Sequence, residues 1–329
     1  MTRETSKKQM TTSRTSTSTV STVPIASLKV ALDALMDQRD VDSTISQDPI
    51  QFAHRYTDPK DQELAAIFAS MLAFGKVTLF IPVVERWMAL CDERGGPRHC
   101  VEKFSSIDFE AFNTLSYRWN KPPDFILIML TFQSLLQTNP QLSFWVESLH
   151  LPEDTDLNPT LTRMMTTLHH HAVKSASLAG ISATHFSDLP DGFRRFLSSP
   201  AKGSACKRWQ MLLRWMVRDT EPDLGLWNLP IGKLTIPLDT HVHSISRMIG
   251  LTKLRSANLK AAQEITKHLR QIAPNDPIQY DFALAHLGIS GQCKKTYNSE
   301  ICTHCHLHDL CVHTKGTETR EEKEEGDPS

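Results

Sequence analysis

The sequence predicts a nearly all-α protein, and three observations carry that prediction. Apolar residues recur at three- and four-residue spacing, alternating β-type runs are scarce, and turn signals are widely separated. The 329 residues are 40% hydrophobic and 22% charged, enough apolar surface for a sizeable core and a length suited to two compact units.

In chain order, residues 1–24 are about half Ser and Thr without apolar periodicity, so a disordered tail is expected there. The same composition also resembles an organelle transit peptide, the minority reading. After Asp58-Pro59, residues Leu64, Ile67, Phe68, Met71 and Leu72 recur at helical spacing. Phe125–Leu136, Phe144–Leu149, Leu161–Ala172, Trp209–Val217, His241–Ile249 and Leu259–Ile272 read as further helices. Gly-Gly-Pro at 95–97, Lys-Pro-Pro at 121–123 and Ser-Ser-Pro at 198–200 mark loops. From Thr317 a second, acidic tail is expected. No internal repeat is visible.

The formal net charge of −1 hides an asymmetry. Arg3, Lys7, Lys8 and Arg14 against Glu4 make the N-terminal tail basic, and Arg320 and Lys323 against six acids make residues 317–329 acidic. A neutral body excludes a wholly polybasic protein but allows a local basic face. No apolar run approaches a membrane span, and no signal-peptide core opens the chain. Seven cysteines, four of them crowded near the end, argue against a secreted disulfide framework. A cytoplasmic protein with no membrane partner is expected.

The run Cys293-x8-Cys302-x2-Cys305-x5-Cys311 carries the most chemistry. Thiolates bind thiophilic metals, and four on short loops can close around one ion or a cubane cluster. Structural zinc sites commonly pair two Cys-x2-Cys knuckles, and one is present here, so unequal spacing favours iron–sulfur. His304, His306 and His308 could replace a thiolate, which keeps zinc as the alternative.

Gly203-Ser204-Ala205-Cys206-Lys207-Arg208 opens a patterned helix that Ser204 or Gly203 could cap. Trp209, Leu212, Leu213 and Met216 form its apolar face, and Lys207, Arg214 and Arg218 fall on the opposite face. That stripe is either a phosphate-binding surface or an ordinary solvated one. Lys207 in the first turn meets the positive end of the helix dipole, and Schiff-base chemistry requires a neutral amine. Asp239, in Leu-Asp-Thr-His, is a helix cap, and a cap carboxylate fixed by backbone N–H groups can also face a developing cation. Cys91, Cys100, Cys206 and the triplet His169-His170-His171 are expected to be structural, as are Trp209 and Trp215.

Lys207 on its helix, then Leu-Asp-Thr-His-Val, then four cysteines: in this order the sequence resembles the helix-hairpin-helix/GPD superfamily of DNA glycosylases, endonuclease III branch. It is most similar to an uncharacterised bacterial family distantly related to that branch, through Lys207–Arg218 and Asp276-Pro277-x3-Asp281-Phe282-Ala283-Leu284. The resemblance is firm over about 200–312, and Met71-Leu72-Ala73-Phe74-Gly75 is a candidate match to the superfamily's early helix. It implies an all-α, two-lobed fold with a C-terminal iron–sulfur cluster loop. A central lobe over 51–236 would hold a hairpin-like element. An N-terminal helix over 25–50 would pack with the C-terminal lobe, 237–316.

The resemblance further implies a monomeric DNA-repair N-glycosylase with abasic-site lyase activity on damaged double-stranded DNA, nucleoid-associated. Lys207 would be the nucleophile and Asp239 the assisting carboxylate. Gly203, Arg214 and Arg218 would contact DNA, and Cys293, Cys302, Cys305 and Cys311 would ligate a [4Fe–4S] cluster. Several positions depart from the family pattern. The first cysteine gap is two residues longer, the hairpin keeps one glycine, Asp219–Lys233 with Trp227 looks inserted, and Ser244 replaces a common Arg. Two other readings stand beside this one. One is a noncatalytic DNA- or RNA-binding protein on a glycosylase scaffold; the other is a zinc-stabilised interaction protein.

Overall fold

Prolines and short polar side chains set the helix starts. The computed structural model describes residues 24–37, 45 and 48–314, so the tails expected over 1–24 and 317–329 lie outside the described residues, Pro24 apart. Helix α1 spans Ile25–Asp37. Asp48 caps a 3-10 turn, Pro49–Arg55. Asp58 then accepts the Lys60 N–H, and Pro59 opens α2, Pro59–Leu72; proline suits that first position because its missing N–H would have no helical partner. Pro97 and Pro122 open helices α4, Pro97–Lys103, and α6, Pro122–Thr138, in the same way. The proline signals at 95–97 and 121–123 therefore mark helix starts as much as loops.

Between them lie α3, Val77–Asp92, and the single turn α5, Phe109–Phe112. The chain continues through α7, Leu142–Ser148, α8, Asn158–Ser175, and α9, Asp191–Phe196. It ends with α10, Lys207–Val217, α11, Thr240–Met248, α12, Leu259–Ile272, α13, Asp281–Ile289, and the short α14, Ser299–Cys302. Among the described residues there is no β-strand, only an isolated bridge between Tyr117 and Asn120. The all-α expectation holds. No described helix is long and apolar enough to cross a membrane.

α2 is the hub. It packs against the Pro49–Arg55 turn and α10, and is buried on nearly every side from Glu63 to Leu72. Phe68 stacks on Trp87 of α3 at 4.5 Å and meets Phe132 of α6 edge-on. α6 packs on α8, and α11 on α13. α1 joins the C-terminal end of the chain: it packs on α12, and the Tyr280 hydroxyl donates to Asp33 at 2.7 Å.

Candidate active site and cysteine cavity

Residues 197–206 join α9 to α10 by a hairpin. Ser199 caps a single 3-10 turn, Pro200–Lys202, and Gly203 closes it at φ +77 with its N–H on the Pro200 carbonyl. A Cβ at Gly203 would meet nothing within 4 Å, so this turn faces open space. Ser204 is not the cap of α10. Its hydroxyl accepts the Cys206 N–H, and Cys206 occupies the cap position in the left-handed region, φ +46. Such a backbone is costly for a residue with a Cβ and persists only where its surroundings hold it. Here the buried thiol donates to the Ser198 carbonyl, and burial pushes that thiol's pKa up, as expected of a structural cysteine. Cys91 is also buried, and the Cys100 thiol beside it raises its pKa further.

Lys207 is the first residue of α10, half-buried and without an ion pair among the described residues. Asp239 is the cap of α11: its Oδ1 accepts the N–H groups of His241 and Val242, both at 2.8 Å. Its second oxygen has no hydrogen-bond partner among the described residues. Asp281 stands at the start of α13. Burial raises its pKa to about 6 against the pull of Arg214; the Asp239 charge raises it and the Lys207 charge lowers it. Two groups 32 residues apart in sequence thus act on one buried carboxyl.

Arg214 and Arg218 are not where a phosphate could meet them, and the expectation of DNA contacts there is corrected. Both are buried. Arg214 donates to Asp281 at 2.6 Å and to Asp223 at 3.2 Å, while Arg218 pairs with Asp223 and, at 2.9 Å, with Asp276. Burial opposes both charges, but these carboxylates hold both guanidinium pKa values above their usual range. The cause is the Asp219–Lys233 segment. Its Leu224 and Trp227 N–H groups donate to the Trp215 and Met216 carbonyls, so it folds over the polar face of α10 and brings Asp223 with it. Sequence reasoning missed Asp223 as a partner and gave no role to Asp276 or Asp281. The signal was an acid-rich segment following two unpaired arginines.

Cys293, Cys302, Cys305 and Cys311 line one cavity with Ile245, Leu287 and other mainly apolar side chains of α11 and α13. All four are free thiols. Burial raises the pKa of Cys293 and Cys305, and each feels the other cysteines of the set. Of the three histidines in the loop, His308 borders the cavity, with Nδ1 on Asp309, whereas His304 and His306 do not line it. Among the described residues no three His, Cys, Asp or Glu side chains stand close enough together to hold a metal ion as they are. The His169 Nε2–H donates to the Leu197 carbonyl and His171 pairs with Ser134, so these two histidines of the triplet are structural.

The family model described as "Protein of unknown function (DUF2400)" matches residues 48–290. The chain belongs to the DUF2400 family. The matched region of this DUF2400 protein contains Lys207, Asp239 and Asp281 and ends before Cys293. No curated protein and no solved structure matches it.

Proposed function

We propose that this DUF2400 protein is a DNA-repair N-glycosylase with abasic-site lyase activity. The observation that carries the reading is Asp239 fixed through one oxygen at the cap of α11, while its charge and that of Lys207 both act on the buried Asp281, which Arg214 holds at 2.6 Å. A damaged base leaves the stack, the Lys207 amine bonds to C1′ as the C1′–N bond breaks, and the base departs with a proton. Asp239, fixed by two backbone N–H groups, keeps an oxygen for the positive charge developing on the sugar and for the proton lost by the amine. The sugar ring then opens, the C1′–O4′ bond breaking as O4′ takes a proton, to give an imine; loss of a C2′ proton expels the 3′ phosphate by β-elimination and breaks the strand on the 3′ side.

Damaged double-stranded DNA would lie across the Gly203 turn. The Gly203 carbonyl accepts the Leu259 N–H, which joins the hairpin to the start of α12. Exposed Lys202 and Lys260 adjoin the two bonded residues in sequence, exposed Lys253 and Arg255 lie in the loop before α12, and exposed cations supply the sequence-independent part of DNA affinity. Cys293, Cys302, Cys305 and Cys311 would hold a [4Fe–4S] cluster, with zinc as the alternative; four thiols around one apolar cavity are a fitting donor set. When bound, the cluster would tie the C-terminal loop together through thiolate ligation.

A noncatalytic nucleic-acid-binding role is the second reading, favoured by a hairpin with Gly203 as its one glycine. Borohydride trapping on abasic duplex DNA separates the two. The enzyme reading expects a covalent adduct with the wild-type protein, lost in Lys207→Ala. Binding without trapping, or trapping that survives Lys207→Ala, overturns the assignment.

A further inference from the structure

Beside Lys207, on the other flank of the α10 start, three guanidinium groups surround two stacked rings. Phe74, which follows α2, lies parallel to Trp119, centroids 4.9 Å apart and 7° between planes. Arg195 and Arg118 sit over Trp119 at 4.8 and 5.6 Å from its centroid, and Arg208 sits over Phe74 at 5.1 Å. None of these arginines is in an ion pair among the described residues. Arg208 is anchored on the Met71 and Arg195 carbonyls, and burial without a carboxylate lowers its pKa to about 10.

The backbone that presents Trp119 is rigid and strained. Tyr117 and Asn120 form a tight bridge through reciprocal N–H to carbonyl bonds of 3.0 and 2.8 Å, which leaves Arg118 and Trp119 at the tip. Arg118 takes φ +53, an uncommon value for a residue with a Cβ. The turn is pinned at both ends: the Tyr117 hydroxyl donates to the Phe74 carbonyl, and Asn120 Nδ2 donates to the Gly192 carbonyl at 2.7 Å. Gly192 permits this approach, because a Cβ there would lie 2.6 Å from the Trp119 carbonyl oxygen. Trp119 nevertheless stays 43% exposed, while the other five tryptophans are buried. A core device would not hold a strained turn in place to display its largest ring.

We propose that Trp119, with Arg118 and Arg195, is a stacking platform for an unpaired nucleotide of a single-stranded nucleic-acid segment. The guanidinium planes over Trp119 accept a base as rings do, the exposed ring beneath them extends that stacking surface, and unneutralised arginines suit the flanking phosphates. An acidic peptide would satisfy the charges but leave the parallel ring stack unused. The platform rests on the proposed nucleic-acid role for its partner class, not on the Lys207 chemistry.

Because Trp119 is the exposed tryptophan, its fluorescence reads the site directly. The full-length protein is titrated with single-stranded oligothymidylate, with an abasic oligomer of equal length, and with thymidine monophosphate. The platform expects quenching of the solvent-accessible emission by oligothymidylate in the wild-type protein and, by fluorescence anisotropy of dye-labelled oligothymidylate, about tenfold weaker binding in Trp119→Ala with recovery in Trp119→Phe. Equal affinity for the abasic oligomer, equal affinity for the free nucleotide, or unchanged binding in Trp119→Ala overturns it. An exposed side chain is removed, so an unchanged melting temperature verifies the fold. Quenching without borohydride trapping keeps the platform and sinks the lyase; trapping without quenching does the reverse.

Discussion

Glu63 shows how one side chain can couple this fold to pH. It lies on α2, buried, and its carboxylate accepts the Trp227 indole N–H at 2.7 Å. Burial raises its pKa to about 7, and the Trp227 bond offsets only part of that effect. The native state therefore holds the proton more tightly than the unfolded chain, whose value is near 4.5. Glu63 favours folding fully below that value, and the contribution is lost as pH rises through about 7. Glu63→Gln should remove this part of the pH dependence, so wild type and variant should diverge in urea denaturation between acid and neutral pH. Parallel curves for the two proteins would contradict the assignment. Neither the burial nor the Trp227 partner is legible in the sequence, because 164 residues separate the two groups.

At the scale of elements, the ion-pair network of α10 decides what its polar face is for. Helical periodicity correctly grouped Lys207, Arg214 and Arg218, but it could not say what covers them. The Asp219–Lys233 segment and the start of α13 do so, through Asp223, Asp276 and Asp281. Removing one partner of a buried pair strands the other charge without water. Asp223→Ala should cost about 3–5 kcal/mol of folding free energy, measurable by chemical denaturation, because both arginines lose a carboxylate. A loss under about 1 kcal/mol, the size of a surface pair, would mean that the network is solvated. α3 offers the opposite lesson. Pro82 lies inside it and argues against a helix, yet Phe80, Val84, Trp87 and Met88 bury one face and carry the helix past the proline.

For the whole molecule, the C-terminal cavity is the feature that sequence spacing and tertiary contact describe together. Cys293 joins α13 directly, its N–H donating to the Leu287 carbonyl at 2.9 Å, so the cavity is built against the same helix that presents Asp281. Loss of the cysteine set should therefore loosen the α11–α13 layer. Protein purified without air should show broad brown absorption with iron and sulfide in [4Fe–4S] stoichiometry. Cys302→Ala should lose the colour and lower the melting temperature. A colourless protein containing zinc would transfer the four thiols to the alternative metal.

The sequence by itself determined the helical class, about half of the helix positions and the four cysteines, because helix period and cysteine spacing are local quantities. Leu259–Ile272 was readable to the residue for that reason. Asp239 as a cap was equally local, since its hydrogen bonds reach only two and three residues onward. Tertiary structure alone decided that Arg214 and Arg218 are buried in ion pairs, that the charges of Lys207 and Asp239 both act on Asp281, and that Phe74, Trp119, Arg195 and Arg208 form one cluster. Those arrangements depend on segments distant in the chain closing on one another, and no periodicity within a helix encodes which distant carboxylate or ring will arrive.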